Sequence, residues 1–258
     1  MASKSLLNPT TRFSDRVEHY VKYRPGYSEE VVHCLKQDCG LSASSIIADV
    51  GSGTGLSAEI FLKSGPGVFG IEPNEAMRSA AEKLLAHYPA FQSVDGTAEK
   101  TTLDSKSVDF IIAAQAFHWF ENTKTRSEFL RILKPEGWVV LLWNDRRTHS
   151  TPFLRAYERL LVKFGTDYKI IDHKNIVDEN LEAFFGHSGY LLKQFGNRQV
   201  LDFAGLKGRV LSSSYAPGQG HPAYEPMLEE LRNLFDKFQT SGHVEIEYDT
   251  KMYYGRLL

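Results

Sequence analysis

A glycine-rich turn between an apolar run and a helical segment most constrains the fold of this chain. The run from Ile46 to Val50 is followed by Gly51, Gly53 and Gly55. Three alternating glycines let the backbone turn sharply and lie against a ligand that a Cβ atom would push away. A buried strand that enters a helix through such a loop is typical of nucleotide-binding α/β folds. The sequence therefore predicts a parallel sheet with a ligand loop after its first strand.

The spacing of these glycines shows which kinds of nucleotide-binding loop the sequence matches and which it does not. A dinucleotide fingerprint needs a third glycine where this chain has Leu56. The loop also lacks the Lys-Ser/Thr pair that ends a Walker P-loop. A plain strand-to-helix turn that binds no ligand does not require three alternating glycines, so this alternative is disfavoured. The spacing Asp-x-Gly-x-Gly-x-Gly, which begins at Asp49, therefore favours a nucleotide-type ligand other than NAD or a nucleoside triphosphate.

The rest of the chain alternates apolar runs with amphipathic segments, which predicts strands buried on both faces of a sheet between layers of helix. The predicted strands are 45–50, 68–72, 91–94, 108–113, 138–143, 194–203 and 244–254. The predicted helices cover 28–40, 56–63, 75–86, 122–132 and 151–164, and an apolar stripe from Leu228 to Phe238 predicts another. No repeat interrupts this order, so we expect one domain over 1–258.

Charge and composition exclude several partner classes. The chain has 30 Lys plus Arg and 32 Asp plus Glu, a net charge of −2, which supplies no general attraction to nucleic acid or an anionic membrane. Cys34 and Cys39 are too few for a disulfide framework or a closed zinc site. The nine histidines show no ligand spacing, so we expect no metal. No signal-peptide core or 18-residue apolar run is present, which predicts a soluble, cytoplasmic protein.

An acidic residue at the end of the second predicted strand points to a ribose. Glu72 lies about 20 residues beyond the first glycine, where a carboxylate can accept hydrogen bonds from both ribose hydroxyls. Met77 follows closely and can lie on the face of an adenine ring. Together with the loop, these residues predict a ligand that carries an adenosine.

Residues 49–55, Glu72 and the segment Leu-Lys-Pro-Glu-Gly at 133–137 resemble the class I S-adenosylmethionine-dependent methyltransferases. Glu136 departs from the family, which usually has a second glycine there. The segments 20–27, 96–99, 114–120 and 212–215 are similar to a subgroup of small-molecule enzymes that resemble trans-aconitate methyltransferase. The resemblance covers most of the chain.

The resemblance implies an α/β fold, a Rossmann-like doubly wound, mostly parallel seven-stranded sheet with an antiparallel last strand and a helical insertion over the ligand edge. Four parts are expected: a cofactor-covering helical segment at 13–40, a nucleotide-binding core at 44–146, an inserted lid at 147–189 and a completion of the sheet at 190–258.

The resemblance also implies S-adenosylmethionine as cofactor and S-adenosylhomocysteine as product. Asp49 would then lie near the methionyl amino group, and Ala98 and Glu99 would meet the adenine edge. A backbone carbonyl near Gln115 would receive the amino group. The implied cofactor-binding residues are Asp49, Gly51, Ser52, Gly53, Gly55, Glu72, Pro73, Met77, Ala98, Glu99 and Gln115.

Transfer of a methyl group from a sulfonium is an in-line displacement, which mainly requires approach geometry and exclusion of water. His118 and Trp119 follow the fourth predicted strand, where the ligand crevice of a parallel sheet lies. His118 is the candidate catalytic base for a hydroxyl or amine acceptor, and Trp119 is expected to line the site. The alternative is that both rings only pack beneath the cofactor.

A carboxylate acceptor would need no base, and arginines would then bind it as planar forks. The candidate substrate residues are Tyr20, Arg24 and Tyr27, and the pair Arg146 and Arg147 is a second possibility. Residues 147–189 are expected to set acceptor specificity.

The predicted function is methyl transfer to a small-molecule acceptor, either a carboxylate or a hydroxyl, by a monomer or homodimer. A methyltransferase acting on protein or RNA is one alternative, although the Asn-Pro-Pro-Tyr type loop of nucleic-acid amino-group modifiers is absent after the fourth strand. A non-catalytic S-adenosylmethionine-binding protein is the other.

Overall fold

A computed structural model describes residues 17–166, 168 and 178–258, and its described residues form one mixed sheet. The strand order is β3-β2-β1-β4-β5-β7-β6. Strands β1 to β5 run parallel, and β7 runs antiparallel to both β5 and β6. The strands are β1 (Ile46–Val50), β2 (Gly67–Ile71), β3 (Phe91–Val94), β4 (Val108–Ala114), β5 (Leu133–Arg146), β6 (Leu191–Leu201) and β7 (Val244–Gly255). This topology confirms the predicted fold class.

Helices cover both faces of the sheet because alternate strand residues point to opposite sides. In β4, Phe110 and Ile112 belong to one core, and Ile111 and Ala113 belong to the other. The helices are α1 (Val17–Tyr23), α2 (Glu30–Cys39), α3 (Leu56–Leu62), α4 (Glu75–Leu84), α5 (Asn122–Ile132), α6 (Pro152–Phe164), α7 (Asp178–Phe185), α8 (Phe203–Leu211) and α9 (Tyr224–Phe238). Helices α2 and α3 pack on the first face, and α5 and α7 pack on the second.

A third core joins α6, α8 and α9, which we call the helical cap, to the beginning of β7. Tyr157, Leu206, Leu231 and Tyr248 are fully buried in it. Tyr248 pairs with Arg146, the last residue of β5, and the preceding residues of β7 pair with β6 alone. The cap therefore lies against the part of the β6–β7 pair that extends past the carboxyl end of β5.

The segment predicted as one inserted lid, 147–189, contributes to two different layers. Its first helix, α6, belongs to the helical cap, whereas Leu181, Phe184 and Phe185 of α7 pack with Phe129 of α5 against the sheet. Residue 167 and residues 169–177 of this predicted lid lie outside the described residues. The cap thus draws most of its helices from the part predicted to complete the sheet.

The prediction of a strand over 194–203 was wrong at its end. Strand β6 stops at Leu201, and the carboxylate of Asp202 accepts a hydrogen bond from the Gly205 nitrogen at 2.7 Å, which caps α8. Gly205 and Gly208 lower the helix propensity of this segment and interrupt its apolar period, so the sequence did not reveal the helix. None of the described helices is long and apolar enough to span a membrane.

Candidate functional site

The glycine loop follows β1 at the point where the strand order reverses between β1 and β4. Ligands of open α/β sheets bind at such a switch point, beyond the carboxyl ends of the strands. Gly51 and Gly53 adopt φ angles of +70° and +56°, a region that side chains rarely tolerate. A Cβ atom on Gly51 would lie 2.6 Å from the Cβ of Ala116, whereas one on Gly53 would meet nothing within 4 Å. Gly51 therefore permits close packing, and Gly53 leaves open space beside the loop.

Glu72 follows β2 and fastens the loop from the neighbouring strand. Its two carboxylate oxygens accept hydrogen bonds from the backbone nitrogens of Gly53, at 3.0 Å, and Asn74, at 2.9 Å. Burial raises the pKa of Glu72, and these two N–H groups oppose that effect by stabilising the charged form. The carboxylate is thus held in one orientation at the mouth of the site.

Asp49 lies fully buried in β1, directly behind the loop. Its Oδ2 accepts a hydrogen bond from Ser57 at 2.6 Å, and its Oδ1 has no hydrogen-bond partner among the described residues. Burial raises the pKa of Asp49 to about 7, and the nearby charge of Glu72 acts in the same direction. A buried acceptor without a partner is costly, and a cationic group bound beside it would relieve that cost.

Gln115 follows β4 and separates two adjoining pockets. It adopts a φ of +55°, which is unusual for a residue with a side chain, while its backbone nitrogen donates to Leu142 O at 2.9 Å. Its side-chain amide donates to Asn144 O at 3.3 Å. Both pockets are lined by this residue together with Gly51, Gly53 and Ala114.

The first pocket, which we call the acidic pocket, combines carboxylates with flat apolar surfaces. Glu72 and Glu99 supply the charge, and Met77, Trp119 and Phe120 supply apolar surface. Its remaining lining residues are Gly51, Gly53, Pro73, Asn74, Thr97, Ala98, Ala114, Gln115 and Ala116. Carboxylates that can accept hydroxyl hydrogen bonds next to apolar walls suit a nucleoside.

The second pocket, which we call the arginine pocket, is lined by three guanidinium groups and three phenols. These belong to Arg24, Arg146 and Arg209, and to Tyr27, Tyr168 and Tyr215. The arginines come from the segment after α1, from the end of β5 and from α8 of the helical cap. The pocket therefore forms only when the sheet, the cap and the N-terminal segment pack together, and its charge suits an anion.

The structure brings most of the predicted site residues to these two pockets. The acidic pocket contains Gly51, Gly53, Glu72, Pro73, Met77, Ala98, Glu99, Gln115 and Trp119, and the arginine pocket contains Ser52, Arg24 and Tyr27. Asp49 and Gly55 support the loop from behind rather than lining a pocket. The side chain of Tyr20 lies outside the described residues.

His118 is not among the described residues that line either pocket. It lies in the 3-10 turn Phe117–Trp119, with its ring centroid 4.9 Å from that of Trp119. It is thus adjacent to a lining residue without reaching the cavity surface itself.

Several lining residues were not predicted from the sequence. Phe120 and Tyr215 are the last residues of segments 114–120 and 212–215, which resemble the small-molecule subgroup, but neither was predicted as a site residue. Arg209 was missed because its helix was not predicted. The pair Arg146 and Arg147 is split by the structure, since Arg147 Nη2 contacts Asp249 at 2.6 Å, outside both pockets.

No group of three His, Cys, Asp or Glu side chains in the described ranges converges in a way that could hold a metal ion. The candidate site is accordingly built from backbone, carboxylates, arginines and aromatic rings.

Comparisons with known proteins point to one family. A family profile described as a methyltransferase domain matches residues 48–141, which include the glycine loop, Glu72 and Gln115. The chain is 31% identical over 248 residues to an uncharacterized methyltransferase-like protein of Schizosaccharomyces pombe, a match that covers 92% of each chain.

Solved structures share the fold. A protein described as a type II methyltransferase from Anaeromyxobacter dehalogenans is similar over 92% of this chain and 99% of its own, with a TM-score of 0.66 and 19% identity. A phosphoethanolamine N-methyltransferase of Haemonchus contortus, solved with S-adenosyl-L-methionine, has a TM-score of 0.56 at 14% identity, and the match covers 100% of this chain and 60% of that one.

Proposed function

The chain belongs to the S-adenosylmethionine-dependent methyltransferases, and from that premise we propose that it methylates a small-molecule acceptor bound in the arginine pocket. The observation that carries the proposal is the pair of pockets joined at Gly51, Gly53 and Gln115. One pocket has the chemistry of a nucleoside site, and the other has room and charge for a second molecule. When bound, the cofactor supplies an electrophilic methyl group on a sulfonium.

The residues of the acidic pocket fit the adenosine part of the cofactor. Glu72 is held by two backbone N–H groups in an orientation that leaves its remaining lone pairs for the ribose hydroxyls. Met77, Ala98 and Glu99 would surround the adenine, with Pro73 and Phe120 at its rim. The open space beside Gly53 is a cradle that a Cβ atom would fill.

The methionyl part would lie over the loop between the two pockets. Asp49 has a buried oxygen without a partner in the described part of the chain, which suits a nearby ammonium. The backbone around Gln115 would accept a hydrogen bond from the same group. Gly51, Ser52 and Gly55 would allow the close approach of the loop.

Two kinds of acceptor oxygen are compatible with this arrangement. A hydroxyl must lose its proton to a base, and His118, the base predicted from the sequence, would have to turn from its place beside Trp119 towards the acceptor to take that proton. A carboxylate is already ionised and requires only orientation, which Arg24 and Tyr27 in the lining of the arginine pocket would provide. The resemblance of segments 20–27 and 212–215 to small-molecule enzymes related to trans-aconitate methyltransferase supports a small acceptor in either case.

Incubation of the purified protein with methyl-labelled S-adenosylmethionine and a cell extract separated by size tests the proposal. We expect label in the low-molecular-weight fraction, and none with a Glu72→Ala variant. Label only in protein or RNA would replace the small acceptor with a macromolecule. Tight binding of S-adenosylhomocysteine without labelled product in any fraction would identify a non-catalytic binding protein.

A further inference from the structure

The α1–α2 connection, residues 24–29, forms one wall of the arginine pocket through Arg24, Pro25 and Tyr27. This stretch contains no helix or strand, so the carbonyl groups of its first residues need hydrogen-bond partners from elsewhere in the fold. The side chains that supply those partners determine where this wall of the pocket lies.

Two side-chain amides hold the α1–α2 connection at a single atom. Asn144 Nδ2 and Asn197 Nδ2 both donate to the carbonyl oxygen of Gly26, at 3.0 Å and 2.8 Å. A carbonyl oxygen only accepts hydrogen bonds and has two lone pairs. The nitrogen of each amide must therefore face Gly26, and the two donors together occupy its lone pairs.

The neighbouring strand β7 fixes the orientation of Asn144. Thr250 lies opposite Asn144 in the sheet, and its hydroxyl donates to Asn144 Oδ1 at 2.6 Å. Thr250 is fully buried and Asn144 is 5% exposed. Because a buried polar group without a partner is costly, this combination of one donor and one acceptor admits a single orientation of the Asn144 amide.

The backbone of Asn144 contacts the residue that separates the two pockets. Its carbonyl oxygen accepts a hydrogen bond from the side-chain amide of Gln115 at 3.3 Å. Asn144 thus holds Gly26 through its side chain and Gln115 through its backbone. The distance from the wall of the arginine pocket to the junction with the acidic pocket is set by this one residue.

We propose, on the basis of the function proposed above, that Asn144 is a positioning residue for methyl transfer. By holding the α1–α2 connection at a fixed distance from Gln115, it places an acceptor that contacts Arg24 and Tyr27 in line with the cofactor. An in-line displacement depends on approach geometry, and a misplacement of about 1 Å can cost about 100-fold in rate. Asn144 is not among the described residues that line the acidic pocket, so cofactor affinity should not depend on its side chain.

Asn144→Asp tests the donor directly. The substitution keeps the size of the side chain and its accepting oxygen, but it replaces the amide donor by a carboxylate oxygen that repels the Gly26 carbonyl. The assay uses methyl-labelled S-adenosylmethionine and the low-molecular-weight fraction of a cell extract, whose serial dilution gives a relative KM. We expect a higher KM and a lower kcat, with kcat/KM reduced about 100-fold.

Calorimetry separates this effect from a loss of folded protein. The Asn144→Asp variant should bind one S-adenosylhomocysteine per chain with an affinity within about threefold of the wild type, since a change confined to the acceptor side does not alter cofactor binding. The matched control is Asn233→Asp, which introduces the same charge at an exposed position of α9 and should leave every value unchanged.

Thr250→Val is a second variant that keeps the test open if Asn144→Asp does not fold. It removes only the hydroxyl that orients the Asn144 amide, so kcat/KM should fall about tenfold. Its control is Thr125→Val, at another fully buried threonine that is not among the described lining residues of either pocket. This control should transfer methyl groups at the wild-type rate.

Hydrogen exchange measures the position of the α1–α2 connection without turnover. With S-adenosylhomocysteine bound, the amides of residues 24–29 should exchange faster in Asn144→Asp than in the wild type, and those of the glycine loop should not. Unchanged exchange at 24–29, or an unchanged kcat/KM, would overturn the inference. A parallel loss of S-adenosylhomocysteine affinity would also overturn it, because Asn144 would then support the whole site. If the wild type labels no small molecule, the proposed function fails, and the exchange result alone decides whether Asn144 holds this segment.

Discussion

The carboxylate of Glu72 accepts a hydrogen bond from the backbone N–H of Gly53, with 3.0 Å between Oε2 and the nitrogen. This contact joins the end of β2 to the loop that follows β1. It fixes a charged group and a close-approach glycine relative to each other before any ligand arrives. The position of the acidic pocket therefore depends on the side chain of Glu72, which both holds the loop and faces the cavity.

Glu72→Gln should weaken S-adenosylhomocysteine binding by about 10- to 100-fold, because hydrogen bonds to a charged acceptor contribute roughly 1.5–3 kcal/mol. Isothermal titration calorimetry measures the dissociation constant directly. The matched control is Glu82→Gln, an exposed acid on α4 outside the pockets. Equal affinity in wild type and Glu72→Gln would show that this carboxylate does not hold the ribose.

Gly53→Ala should abolish cofactor binding while lowering stability only modestly. The alanine meets nothing within 4 Å, so its structural effect is the strain of a φ of +56°, about 1 kcal/mol. Gly242→Ala, at a φ of +78° with the same open surroundings, introduces comparable strain far from the pockets. Thermal unfolding should fall similarly in both variants, and only Gly53→Ala should fail to bind S-adenosylhomocysteine. Normal binding by Gly53→Ala would mean that the loop does not approach the cofactor here.

The glycine loop was predictable from the sequence because its residues are neighbours in the chain, whereas the residues of the arginine pocket are not. The strand, the three glycines and the following helix are contiguous, so residues 46–55 specify the turn without distant partners. Glu72 lies one strand away and was predictable because parallel strands end at the same edge. These signals do not require knowledge of how helices pack.

The helical cap depends on contacts between distant parts of the chain. A Cβ atom on Gly208 would lie 2.1 Å from the ring of Tyr23, so this glycine is needed for packing against α1, not for a turn. In the sequence, the same glycine is untypical of a helix, so α8 was not predicted. Arg209, which lies on α8, was therefore not recognised as a candidate site residue. The position of Arg209 follows from tertiary packing that no local pattern encodes.

Asp49→Asn should stabilise the cofactor-free protein at pH 8 and change it little near pH 4. The folded-state pKa of Asp49 is raised to about 7, above its unfolded value, so the folded protein holds the proton more tightly. Stability from this group is full below the unfolded pKa and declines as pH rises towards 7. The asparagine removes that decline, which is on the order of a few kcal/mol.

Thermal unfolding at several pH values checks this sign, and Asp236→Asn, an exposed acid on α9, is the control. Cofactor binding to the wild type should also release protons at pH 6, which calorimetry detects by comparing buffers of different ionisation enthalpy. A stability gain that is the same at pH 4 and pH 8 would contradict the ionisation argument.

Tyr248→Phe should raise the KM for the acceptor about tenfold and leave the affinity for S-adenosylhomocysteine unchanged. The Tyr248 phenol accepts a hydrogen bond from Arg209 Nε at 3.1 Å and donates one to Gln199 at 2.8 Å. Gln199 in turn donates to the backbone carbonyl of Tyr23 at 3.1 Å, which ties Arg209 to the segment that carries Arg24. Loss of the phenol leaves the guanidinium less firmly oriented, so acceptor binding suffers before the methyl-transfer step does.

The matched control is Tyr254→Phe, which removes an equally buried phenol of the same strand that donates to Asp38 at 2.8 Å, away from both pockets. Tyr248→Phe loses two hydrogen bonds and Tyr254→Phe loses one to a carboxylate, so each variant should lose about 1–3 kcal/mol of unfolding free energy. Only the Tyr248 variant should raise KM, because only its phenol contacts an arginine of the pocket. A rise in KM of the same size in both variants would indicate a general loss of stability, and Tyr248 would then have no positioning role.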